Sequence, residues 1–165
     1  MGLNITLINN SDKEKKTKKQ LEMLLEKYDL DKWIFQKSIF IGEREIPHSH
    51  PKLTINTFHL NNDNRLLSQF LHEQIHWFLP LSRFKQMQEE LNLLFPQIED
   101  EYHLIINYLE YDALRQLIGE REAKEIIDNK KQYMKNAERY TELYEIVTQQ
   151  EGKIKEILEK HDLLI

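Results

Sequence analysis

Residues 72–76 read His-Glu-Gln-Ile-His, and they limit what this chain can fold into more than any other stretch. On a helix, positions i and i+4 lie one above the other on a single face. The flanking residues Leu66, Leu67, Phe70, Leu71, Ile75, Trp77, Phe78 and Leu79 make that helix apolar almost all round, and such a helix is buried. The polar exceptions form one stripe: Arg65, Gln69, His72 and His76, with Glu73 beside it. Burying two imidazoles and a carboxylate without partners costs several kcal/mol. The fold must therefore bring something to them. A metal ion satisfies all three most simply; the alternative is a histidine pair hydrogen-bonded to backbone or water.

The surrounding pattern places this helix midway along an α+β chain. Leu3, Ile5 and Leu7 alternate with polar residues and predict a short strand. Ser11 and Glu14 form a capping box ahead of a helix carrying Leu21, Leu24, Leu25 and Tyr28. Trp33 to Ile41 predicts a second strand, interrupted by Gly42. His48-Ser49-His50, bracketed by Pro47 and Pro51, reads as a surface loop, and Leu53 to Phe58 as a third strand. The histidine helix then runs from about Arg65 to Leu79, stopped by Pro80. Further helices follow at about 82–94, 99–118 with Gly119 as its C-cap, and 120–128. From Gln132 the tail carries Tyr133, Ala137, Tyr140, Tyr144, Val147, Ile154, Leu158 and His161 at helical spacing, broken at Glu151. The expectation is one domain over 1–165: a small N-terminal mixed sheet of three or four strands, then an all-helical half, with 132–165 a helical extension packed on it.

A second helix carries a matching feature. Between Leu104 and Ile118 it is apolar on most sides, yet His103, Asn107 and Glu110 form one polar stripe. The economical expectation is that the two stripes share a metal. His103 and Glu110 lie about 10 Å apart along the axis, so both cannot easily bind one ion. Glu110 is the expected third ligand, because a mid-helix carboxylate without a partner is hardest to explain; His103, an equally good donor, is the alternative. The residue not used would orient a ligand or hydrogen-bond an oxyanion. The acidic run Glu99-Asp100-Glu101 reads as an ordinary helix start.

His72-Glu73-Gln74-Ile75-His76 followed by an all-helical half resembles the zincin metallopeptidases, and more closely their gluzincin group, in which a Glu on a second helix is the third ligand. The resemblance implies Zn2+ held by His72, His76 and Glu110, with Glu73 as general base and His103 as a catalytic helper. It also implies a peptide or protein substrate bound in extended form along the strand 53–58. Two departures limit it. The metzincin pattern would need Gly at position 79 and His at 82, where this chain has Leu79 and Ser82. Glu110-Tyr111-Asp112 also differs from the gluzincin setting. A second reading, from another class, is a non-catalytic helical interaction protein with a structural or vestigial zinc site.

Composition excludes several other classes. There is no cysteine, so disulfides, thiol nucleophiles and zinc ribbons are ruled out, which fits a reducing, cytoplasmic setting. The net charge of −5 argues against general nucleic-acid binding. Lys13, Lys15, Lys16, Lys18 and Lys19 read as the solvated face of a helix start. No run of residues is long and apolar enough to suggest a membrane span.

Overall fold

The structure, a computed structural model, describes residues 2–133 and 138–165, with the side chains of 131–140 outside the description. Of the tail positions, Ala137 therefore lies outside the described residues, and the side chains of Tyr133 and Tyr140 lie outside the description. By its internal contacts the chain divides into two compact units, one ending at Phe78 and one spanning Leu79–Ile165.

The first unit is built on strands β1 (Asn4–Leu7), β2 (Ser38–Gly42) and β3 (Leu53–Asn56), in the order β1-β2-β3. Both pairings are parallel, with Ile5 opposite Ile39 and Ile41 opposite Ile55. The expected mixed sheet is corrected to a purely parallel one. Helix α1 (Asp12–Lys27) makes the first crossover. The second is made by residues 43–52, which contain no helix but run long enough to return the chain to the same end of the sheet. Ser11 caps α1 through the capping box that its spacing with Glu14 predicts. Two segments differ from the sequence reading: Asp31–Trp33 is a 3-10 turn, and β3 stops at Asn56, leaving Phe58 exposed.

Helix α2 (Asp63–Phe78) packs on α1, β3 and the 3-10 turn. Leu66, Leu67, Phe70, Leu71 and Ile75 join Leu21, Ile39, Ile41, Leu53 and Ile55 in a core with no exposure. Each such side chain contributes roughly 1.5–3 kcal/mol. Helix α2 ends two residues before Pro80, as a proline stop requires.

The second unit is helical: α3 (Leu81–Phe84), α4 (Gln88–Leu94), α5 (Glu101–Ile118), α6 (Glu120–Tyr133), α7 (Glu138–Gln149) and α8 (Glu151–Lys160). The single helix expected over 82–94 is two short ones. Helix α5 is the hub, with α4, α6, α7 and α8 all in contact with it. Gly119 ends α5 at φ 90°, a conformation that favours glycine. Arg115 ties the unit together through Asp112 at 2.9 Å and Glu151 at 2.5 Å. Within the tail, Tyr144, Val147, Ile154 and Leu158 are buried as their spacing predicts, and the break near Glu151 separates α7 from α8.

Candidate metal centre

Helix α2 presents its two histidines as the sequence implies. His72 and His76 bring their Nε2 atoms to 3.3 Å, with the rings edge to face at 5.0 Å between centroids. That separation has a chemical meaning. Two nitrogens each about 2.05 Å from one zinc ion at the tetrahedral angle stand about 3.3 Å apart. The spacing matches that of two ligands on one zinc ion, and it is also that of a hydrogen bond between two imidazoles. His76 and the neighbouring Glu73 are buried, and His72 is half-buried.

What fixes the helix in this orientation is the residue between Glu73 and Ile75. Gln74 is fully buried; its Oε1 accepts from the N–H groups of Phe35 at 2.9 Å and Gln36 at 2.8 Å, and its Nε2 donates to the Gln36 carbonyl at 2.8 Å. Gln69 likewise accepts from the Asn56 N–H at 3.3 Å and donates to Asn56 Oδ1 at 3.2 Å. Gln69 therefore leaves the polar stripe of the sequence reading: it clamps the helix to β3.

In the second unit the stripe on α5 separates into three different situations. His103 lies in the first turn and is half-buried. Its Nδ1 meets Asp100 Oδ2 at 2.8 Å, and Asp100 Oδ1 accepts the His103 backbone N–H at 3.1 Å. Asn107, one turn on, is fully buried, and neither its Oδ1 nor its Nδ2 has a hydrogen-bond partner among the described residues. Glu110 is also fully buried, but it forms an ion pair with Lys130 through Oε1 and accepts the Tyr144 hydroxyl through Oε2 at 3.2 Å. The choice of Glu110 as ligand rested on its lacking a partner, and that premise is corrected: α6 and α7 supply one for each oxygen. Helix α2 thus offers two imidazole nitrogens close together, and the first turn of α5 offers an imidazole held by Asp100, each within its own unit.

Tyr102, beside His103, donates its hydroxyl to the Leu79 carbonyl at 2.8 Å. Burial, with Asp100 adding its charge, pushes the phenol up to about 12, so it stays a neutral donor. Asp100 is the residue that the sequence reading set aside. The signal was present: an N-cap residue and the residue three positions on are neighbours, so Asp-x-x-His at a helix start brings carboxylate to imidazole.

The strand expected to receive a substrate is partly closed by the chain itself. Thr54 exchanges both backbone hydrogen bonds with His48, at 2.8 and 3.1 Å, on the side of β3 away from β2. The next outward N–H, that of Asn56, goes to Gln69. The loop behind this bridge is pinned to α2, where Trp77 Nε1 donates to the Ser49 carbonyl at 2.9 Å and His50 stacks on the indole at 4.4 Å.

No protein-family model matches the chain, and neither a curated protein nor a solved structure matches it. No helix among the described residues is long and apolar enough to cross a membrane.

Proposed function

We propose that this chain is a zinc-dependent hydrolase of peptide bonds, with His72, His76 and His103 as the metal ligands and Glu73 as the general base. One observation carries the reading: the Nε2 atoms of His72 and His76 stand 3.3 Å apart, next to a buried carboxylate. Three imidazoles are a donor set of catalytic zinc sites, which keep a fourth position open, whereas structural sites close it with a fourth protein ligand. His103 replaces Glu110 in this reading, because both Glu110 oxygens are engaged within its own unit while His103 has an acceptor holding Nδ1. The resemblance to zincins then rests on the histidine helix and its adjacent acid, without the gluzincin ligand set.

Bound zinc supplies Lewis acidity, for polarising a carbonyl and for making water more acidic. Glu73 takes the proton from the attacking water as its oxygen bonds to the scissile carbonyl carbon. The same carboxyl then hands a proton to the leaving amine nitrogen as the C–N bond breaks.

The test is zinc content and casein hydrolysis measured together. Glu73→Gln keeps the metal and loses hydrolysis; His72→Ala and His103→Ala lose the metal. Zinc retained by His103→Ala but lost by Glu110→Ala restores the original ligand choice, and equal zinc loss in His72→Ala and Glu73→Gln contradicts the assigned roles. A second reading, a non-hydrolytic protein that uses the ion for structure, is favoured by the bridge between His48 and Thr54, which occupies the strand edge a peptide would use. It predicts full zinc occupancy with no cleavage by the wild-type chain.

A further inference from the structure

Asp100 occupies the N-cap position of α5, at φ −135° and ψ 65°, outside helical geometry. A cap needs only one acceptor for the first turn's N–H groups. This carboxylate uses its two oxygens for two purposes: Oδ1 takes the His103 backbone N–H at 3.1 Å, and Oδ2 takes the His103 ring at Nδ1, 2.8 Å away. Both groups are only partly accessible, with 26% of the His103 side chain and 15% of the Asp100 side chain exposed. An acceptor at Nδ1 keeps the proton there, and the lone pair is then on Nε2. Nε2 is also the atom that His72 and His76 turn toward each other.

We propose that Asp100 is a positioning residue for His103 as a metal ligand, holding the imidazole in the Nδ1–H tautomer with Nε2 as its donor atom. The inference rests on the reading of His103 as a ligand. A carboxylate behind a ligating histidine fixes the ring's rotation and raises its basicity, and the loss of such a partner weakens metal affinity by about 10–100-fold. Here the same residue starts the helix, so the first turn of α5 and the direction of the ligand are set by a single side chain.

The two roles can be separated. Asn at an N-cap accepts a backbone N–H as well as Asp does, but its second terminal atom is an NH2 donor, which cannot accept from Nδ1–H. Ser also caps, and is too short to reach the ring. The experiment is titration of the full chain with Zn2+ against a chromogenic chelator, with thermal unfolding of the metal-free form in parallel. Asp100→Asn and Asp100→Ser are expected to unfold at the wild-type temperature and to bind zinc about 10–100-fold more weakly. Wild-type zinc affinity in both variants overturns the proposal and leaves Asp100 a cap alone. A wild-type chain that binds zinc with an affinity His103→Ala does not change fails the ligand reading itself, and the proposal with it. Weakened binding in His103→Ala but not in Asp100→Asn fails the proposal only.

Discussion

Glu14 and Glu110 are both fully buried acids, one in each unit, and they are held by opposite means. Among the described residues, no cation pairs with Glu14. It accepts four N–H donors: the backbone of Asn9 at 2.9 Å, Ser11 at 3.2 Å and Glu43 at 3.0 Å, and the Asn9 side chain at 3.1 Å. Dipoles from β1, from the α1 cap and from the end of β2 converge on one carboxylate. Glu110 is held by the Lys130 ammonium and the Tyr144 hydroxyl, from helices that follow it in the chain. The difference teaches that a buried acid is not by itself a sign of a metal. What decides is which donors surround it. Three of the four donors to Glu14 are local, within five residues, and only the Glu43 N–H is distant; those of Glu110 lie twenty and thirty-four residues away.

The largest expected effect breaks the second of these sites. Glu110→Ala leaves the Lys130 charge without its buried partner and lowers stability by about 3 kcal/mol, read from urea denaturation. Zinc content is expected to be unchanged. A variant that unfolds no more easily but loses zinc would return Glu110 to the metal.

Next is Glu14. Burial raises its pKa, but the N–H groups of Glu43 and Asn9, the Asn9 side chain and the Ser11 N–H outweigh this, and the net result lies below the ordinary value of 4.5. A folded pKa below the unfolded one contributes stability above the unfolded value, and that contribution is lost as pH falls through the folded one. Glu14→Gln is therefore expected to cost about 2 kcal/mol at pH 7 and progressively less in acid. Denaturation curves of the two proteins at pH 7 and pH 3 check this; a cost independent of pH would show that the carboxylate's charge is irrelevant.

The smallest effect has the opposite sign. Asn107, one turn before Glu110 on α5, buries a carboxamide with neither atom paired among the described residues. Asn107→Leu removes that penalty while keeping the branching at Cγ, and is expected to raise stability by about 1 kcal/mol. A loss instead would show that the amide is satisfied in solution.

Local signals in the sequence survive well. The Ser11–Glu14 box, the stop before Pro80, the Gly119 cap and the core face of α2 all depend on residues within about one turn of each other, and they are found where spacing puts them. The sheet's direction was not legible. Residues 43–52 contain no helical pattern, and a helix-free link between neighbouring strands reads more naturally as an antiparallel return. At the site, the paired histidines were legible because i and i+4 alone place them. The partners of Glu110 were not legible, because periodicity identifies a buried stripe but is blind to what α6 and α7 bring against it. Asp100 was hidden by its own ordinariness: an acid at a helix start is expected for capping, and its second oxygen went unconsidered.

The bridge between His48 and Thr54 has a consequence for how this protein behaves in concentrated solution. An outermost strand with open peptide groups is a template on which other chains can add strands and aggregate. Here one residue of the preceding loop takes both outward groups of Thr54, and Gln69 takes the next N–H. Any intermolecular strand on that side must first displace these bonds and pull the loop off Trp77. Loosening that anchor would turn a closed border of the sheet into an adhesive one.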